Sequence, residues 1–224
     1  MAAKRIKTTE DVLLILCESV KNILTTATKS NIGYSPMVQK IKKICLSPDI
    51  GCFVLFDGGF SGLVVMNFSA DSAMEIYRNY LTNMGIPEEE LAILHTSDEV
   101  ANTLGELMNQ IVGNFQNELK KEFRVSVNQN QPKMIVLNKE LMVAVNTRIE
   151  APQCRKVSFE TENHHPFYLE LAMEKTEFIE LYPIEKEEAI DPEKFIEEEK
   201  TRNSIAVASE DEKVDDDFMR ELGL

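Results

Sequence analysis

The sequence predicts an α+β fold: a largely antiparallel sheet with long helices packed on one face. Three observations predict it. Apolar residues recur at helical spacing in three long stretches, a strong hairpin signal separates the first from the second, and short apolar runs broken by polar punctuation follow the third. Helices are thus segregated from most strands, an order that suits a sheet with one covered side.

The first helix is expected from about Thr9 to Thr28, where Val12, Leu13, Leu16, Val20, Ile23 and Leu24 share a face and Glu10 and Asp11 favour the start. Residues 30–50 carry no clear pattern and are punctuated by Asn31, Gly33, Pro36 and Pro48. Strands Cys52–Phe56 and Leu63–Phe68 flank Asp57-Gly58-Gly59, a hairpin signal. Helices are expected at Ala70–Asn83 and from about Ser97 to Lys121, the latter opened by Thr96-Ser97-Asp98-Glu99 in the form of a capping box. Strands are expected at Phe123–Val127, Lys133–Leu137, Met142–Ile149, Val157–Glu160 and Phe167–Met173. His164 and His165, just before Pro166, read as a loop.

Charge divides the chain. Glu185 to Leu224 contains 15 acidic and 6 basic residues, so this stretch holds −9 of the total −14 and leaves −5 for the rest. We therefore expect a folded domain over 8–184 and an acidic tail over 185–224. The tail would carry one or two short helices, the first opened by Asp191-Pro192; at the chain's end Phe218, Met219 and Leu222 would form one apolar edge, which reads either as a frayed terminus or as a peptide that docks another protein. A net negative chain has the wrong sign for a phosphate backbone, so nucleic acid is not an expected partner. No apolar run approaches the length of a membrane span, so no membrane insertion is expected. Cys17, Cys45, Cys52 and Cys154 are scattered and never paired at metal-ligand spacing, which reads as reduced, buried thiols and a cytoplasmic address. Three histidines make a histidine metal site improbable, and no metal is expected.

The third helix carries the functional argument. Leu104, Leu107, Met108, Ile111, Phe115 and Leu119 fall on one face, while Glu99, Asn102, Glu106, Asn109 and Gly113 fall on the other. That second stripe has no base, contains two asparagines, and includes a glycine that costs about 1 kcal/mol against alanine in a helix interior. Helix stability did not select these residues. A merely solvated face remains the plain alternative.

The segment Asn102-Thr-Leu-Gly105-Glu106-Leu-Met-Asn109-Gln-Ile-Val-Gly113-Asn114 resembles the signature helix of the CheC/CheX family of chemotaxis response-regulator phosphatases, closest to the CheX type. That signature is an acidic residue or serine, three residues, Glu, two residues, Asn, then about 22 residues and Pro, usually with Gly-Asn after the Asn. Glu106, Asn109, Gly113 and Asn114 match, and Pro132 stands at the stated distance. The passage Phe56 to Asn83 is similar to the family's strand, glycine, strand, helix order, and the likeness covers roughly residues 8–182. Asn102 departs from the pattern at the acidic-or-serine position. A second Glu-x-x-Asn, Glu99 to Asn102, precedes the first and lacks the Gly-Asn, which favours the later register.

The resemblance implies a phosphatase acting on the aspartyl phosphate of a CheY-like receiver domain. Asn109 would orient the attacking water and Glu106 would pair with a receiver lysine; both are catalytic candidates. Asn102, Gly113, Asn114 and Pro132 would touch the partner. The divalent metal would sit on the receiver, and the chain would need no cofactor of its own. Homodimers occur in the CheX branch. The alternative is an adaptor that docks a receiver or motor component without hydrolysis.

Overall fold

The computed structural model describes residues 6–137, 141, 142 and 152–179. The chain divides at Pro183, and every described residue belongs to the first unit, Met1–Pro183. In chain order its elements are β1 (Ile6–Lys7), α1 (Thr9–Thr28), β2 (Gly33–Tyr34), β3 (Gln39–Ile41), β4 (Cys45–Leu46), β5 (Ile50–Gly58) and β6 (Gly62–Phe68). Next come α2 (Ala70–Asn83), a 3-10 turn at Glu88–Glu90, and α3 (Asp98–Phe123). The rest are β7 (Val127–Gln129), β8 (Lys133–Val136), β9 (Leu141–Met142), β10 (Gln153–Glu160), β11 (Pro166–Met173) and β12 (Phe178–Ile179).

The main sheet is wholly antiparallel, with central order β10-β11-β6-β5. Each edge is built in two pieces. β2 and β3 both pair with β10, and β7 and β8 both pair with β5. Pro36 lies between the first two and Pro132 between the second two, where no ladder hydrogen bond is demanded of them. β1 pairs with β12 and β4 with β9 in two small ribbons.

The three helices pack on one face, as expected. Alternate side chains of the strands supply the floor: Ile50, Cys52, Val54 and Phe56 from β5, Val64, Met66 and Phe68 from β6, and Phe167, Leu169 and Leu171 from β11 join the helices in one core. The opposite face carries a smaller apolar cluster around Ile44, Leu46, Leu63 and Val65. β6 is buried along its whole length.

Local chemistry sets the helix limits. The Thr8 N–H donates to Asp11 Oδ2 at 2.7 Å to start α1, which ends where Lys29 turns left-handed at φ 51°. Ser69 Oγ accepts from the Ser72 N–H at 3.2 Å, and Asp49 Oδ2 accepts from the Ala70 N–H at 2.7 Å, so α2 opens with two orphan donors satisfied. In the hairpin, Gly58 takes φ 138°, and a Cβ there would meet Ser126 O at 2.7 Å, so only glycine fits.

The structure corrects several expectations. Phe123 is the last residue of α3 rather than the first of a strand. It continues the Phe115 and Leu119 face, meets Phe178 edge-on at 5.0 Å, and lies under the Lys7 ammonium at 4.6 Å. Arg124 then turns left-handed, and the strand begins at Val127. The cap of α3 is Ser97, not Thr96: Ser97 Oγ accepts from the Val100 N–H at 3.4 Å, while Glu99 is held by Tyr77. The unpatterned stretch 30–50 contains β2, β3 and β4. Of the expected strand Met142–Ile149 only its first residue is described. The tail elements at Asp191–Lys200 and at Phe218, Met219 and Leu222 lie outside the described residues.

All four cysteines are buried. Desolvation pushes the Cys17 and Cys52 thiols up to about 12, so neither is a thiolate near neutral pH. Arg155, buried on β10, donates from Nη2 and Nε to Glu10 Oε1 at 2.6 and 3.0 Å, fastening the first turn of α1 to the sheet. The guanidinium hydrogen bonds hold the Glu10 carboxyl below its ordinary 4.5. A depressed carboxylate stabilises above its unfolded value and ceases to do so as the pH falls through the native value. Glu10→Gln should therefore lower Tm at neutral pH, with the gap to the wild type closing once the pH drops past 4.5. Thermal melts between pH 7 and pH 3 would show this, and a gap that stays constant across that range would contradict it.

Candidate functional site

α3 runs 26 residues, about 39 Å at 1.5 Å per residue, and its charges suit its dipole, with Asp98 and Glu99 in the first turn and Lys120 and Lys121 in the last. Val100, Leu104, Leu107, Met108, Ile111, Val112, Phe115 and Leu119 are all buried beneath it. At Gly105 an added Cβ would sit 3.4 Å from Met134 Cγ, so the helix passes directly over β8. Near its end, Gln116 Nε2 donates to Val127 O at 3.1 Å on β7.

This one-sided burial turns Asn102, Glu106, Asn109 and Gly113 outward together. Asn102 and Glu106 are exposed, and Asn109 and Gly113 are half-buried. Glu106 and Asn109 are one helical step apart, about 4.5 Å in rise and about 60° in azimuth, so one partner surface can meet both. Glu106 Oε1 accepts weakly from Gln110 Nε2 at 3.4 Å. Among the described residues the Asn109 amide has no hydrogen-bond partner, which leaves its carbonyl and both its N–H groups for a ligand or a water.

Gly113 has open space around its missing side chain: a Cβ there would meet nothing within 4 Å. Internal packing does not require this glycine. A bare patch of helix backbone beside an amide and a carboxylate permits close approach from outside, which is what a partner surface would use.

Asn114 faces a different way. It lines a groove of about 480 Å³ between α1 and α3, together with Leu14, Glu18, Asn22 and Glu118. Leu14 is 55% exposed although it lies mid-helix. Sequence reasoning missed this groove; the available signal was Leu14 itself, an apolar residue off the buried stripe of α1. Pro132 is half-buried at the corner joining β7 to β8, next to Asn130, whose N–H donates to Leu55 O at 3.0 Å. Thus four of the six singled-out residues share one face, Asn114 turns to the neighbouring groove, and Pro132 shapes the strand pair leading into β8.

The earlier Glu-x-x-Asn is already occupied. Glu99 Oε2 accepts from Tyr77 Oη at 3.1 Å, and Tyr77 Oη in turn accepts from the Ala92 N–H at 2.9 Å. Glu99 therefore joins α3 to α2 and to the loop between them. His165 is likewise structural: its Nδ1 lies 2.7 Å from Glu75 Oε2, which also accepts from Thr161 Oγ1 at 2.6 Å, pinning the β10–β11 turn to α2. Among the described residues no group of three His, Cys, Asp or Glu side chains could hold a metal, and no helix is long and apolar enough to cross a membrane.

The arrangement offers one carboxylate, the amides of Asn102 and Asn109 with no hydrogen-bond partner among the described residues, and a bare stretch of helix on one outward face. Such groups can position a water and grip a cation, but they include no hydroxyl, thiol or amine nucleophile.

Residues 3–224 match the family described as "Protein of unknown function (DUF3334)". No curated protein matches the sequence. Among solved structures, the chemotaxis protein CheX from Vibrio vulnificus superposes with TM-score 0.60 at 17% identity, covering 73% of this chain and 99% of that one. CheX from Desulfovibrio desulfuricans gives TM-score 0.59 at 18% identity over 73% and 99% of the two chains. The CheX chain of a CheX–CheY–BeF3–Mg2+ complex from Borrelia burgdorferi gives 0.52 at 18% identity over 74% and 99%. The fold is that of the CheC/CheX proteins, and at these identities the likeness shows the fold alone.

Because nothing inside the domain needs Gly113, Gly113→Ala should raise stability by roughly 0.5–1 kcal/mol. A thermal melt should show a midpoint a few degrees higher. A lowered midpoint would reveal a packing constraint that the open space around Gly113 does not indicate.

Proposed function

The chain belongs to the DUF3334 family and has the CheC/CheX fold, and from that premise we propose that it dephosphorylates a CheY-like response regulator. The observation that carries this reading is the row of Glu106, Asn109 and Gly113 turned outward from a helix whose other side is fully buried, with the Asn109 amide unengaged.

Hydrolysis of an aspartyl phosphate requires a water placed in line with the bond that breaks. The receiver supplies the divalent metal and the lysine at the phosphoryl group, so little remains for a partner except to hold that water. Asn109 does so through a neutral amide, which adds no full charge beside the phosphoryl oxygens. Glu106, one step earlier on the same face, pairs with a receiver lysine and sets the distance. Gly113 lets the two backbones approach. No metal or cofactor belongs to this chain in the reaction. The Borrelia CheX structure, a complex with CheY, supports a receiver as the partner class. Participation in chemotaxis follows from the same reading.

Asn102 favours a second reading. It stands where the signature has an acidic residue or serine, and a domain that had kept docking but lost hydrolysis would be free to change there. In that case the protein is an adaptor.

The deciding measurement is phosphate release from a phosphorylated receiver with and without the protein. Asn109→Ala should lose tens to a few hundredfold in rate, about 2–3 kcal/mol of transition-state stabilisation, while keeping much of the receiver binding. Glu106→Ala should weaken both binding and rate. Full activity in Asn109→Ala would refute the mechanism, and unaltered hydrolysis on adding a protein that still binds the receiver would establish the adaptor.

A further inference from the structure

A second cavity lies away from the Glu106 and Asn109 face. It is a cleft of about 600 Å³ where the end of α1, the outer side of α2 and the loop after the 3-10 turn converge. Its walls are tied together: Asn83 Nδ2 donates to Ala27 O at 2.9 Å, joining the end of α2 to the end of α1. Two cations, Lys29 and Arg78, line it, and among the described residues neither has an ion-pair or hydrogen-bond partner. Asn79 and Thr82 add uncommitted polar groups on the same helix, and Ile93, 82% exposed, supplies an apolar wall. Glu88 is the one carboxylate on the lining.

Two cations against one carboxylate make this lining locally positive in a chain of net charge −14, where acidic side chains outnumber basic ones 38 to 24. Glu88, the one carboxylate among the described lining residues, pairs with neither Lys29 nor Arg78, so the positive charge is available to something from solution. The cavity is larger than a bare oxyanion, and the apolar wall at Ile93 suits the organic body of a larger ligand.

We propose that this cleft is a binding site for a small organic anion, held at its phosphate or carboxylate group by Arg78 and Lys29 and by the Asn79 and Thr82 side chains. Arg78 presents a planar fork for two oxygens, and Lys29 a point charge. Ligand occupancy is coupled to α3. Ala92, on the cleft wall, donates its N–H to Tyr77 Oη, and the same hydroxyl donates to Glu99 in the first turn of α3, one turn before Asn102. A ligand that fixes Ala92 and Ile93 fixes this junction also. The proposal does not depend on the reaction assigned to Glu106 and Asn109.

The test is a titration of the full-length, 15N-labelled protein at constant ionic strength, with inorganic phosphate and adenosine monophosphate in one arm and citrate in the other. Saturable amide shifts should appear at 29–31, 78–82 and 91–94 in one arm, and that arm names the anionic group. The combined variant Lys29→Ala and Arg78→Ala should bind about tenfold or more weakly. Both side chains are exposed, so this variant should fold. Tyr77→Phe should still bind but lose the accompanying shifts at 99–102. Absence of saturable shifts in both arms, or unchanged affinity in the double variant, overturns the site. Shifts at 99–102 that survive in Tyr77→Phe overturn the coupling.

Discussion

Everything at the candidate face depends on the continuous apolar side of α3. A helix with Leu104, Leu107, Ile111, Phe115 and Leu119 sunk in one core has a single permitted rotation about its axis. Turning it by one residue would bring several of these side chains into water at about 1.5–3 kcal/mol each, far more than any surface hydrogen bond could return. The packing therefore fixes where Asn109 stands on the surface without a hydrogen bond of its own. The core holds it in place, and its hydrogen-bonding groups stay uncommitted. A polar group positioned by its own hydrogen bonds would have to break them before acting; one positioned by the packing behind it does not.

Polar contacts then fix the helix along its length. At the start, Glu99 is held by Tyr77; towards the end, Gln116 reaches β7, and Lys7 donates to the Glu122 carbonyl and carboxylate. Each links α3 to a different element, so sliding along the axis is resisted where rotation already is. Between these pins lie Gly105, where the helix meets Met134 closely, and Gly113, where it meets nothing. The two glycines of one helix thus stand in opposite surroundings: one faces inward to a strand, the other faces outward to open space.

The sequence made the helices and central strands legible for a simple reason: their burial is one-sided and periodic. α1 and α2 begin and end where the apolar stripe, the acidic first turns and the polar caps place them. The outward row of α3 was readable by the same logic, since an unusual composition opposite a strong apolar stripe needs a cause. Shorter elements were not readable. β2, β3 and β4 are two or three residues long, too brief for an alternation to emerge, and exist only because β10 and β9 lie beside them. Phe123 was misread because Phe-Arg-Val-Ser-Val alternates like a strand, while its ring is claimed by Phe178 and Lys7 from distant parts of the chain. Nothing in the local sequence marks Tyr77 as a junction; only the fold brings Ala92 and Glu99 to its hydroxyl.

The divided edges of the sheet bear on how this protein lives at high concentration. A long, flat outer strand offers an unbroken row of amide groups on which another chain can polymerise. Here both outer positions are occupied by fragments of two to four residues, interrupted by Ser35-Pro36-Met37-Val38 on one side and Asn130-Gln131-Pro132 on the other. An incoming strand would register with one fragment and then lose its partner at the proline corner. Among the described strands, fibre-like growth is thus frustrated by backbone layout and not by charge alone. Association between copies at these edges would have to be won by side-chain fit, which discriminates among partners in a way that a bare row of amides does not.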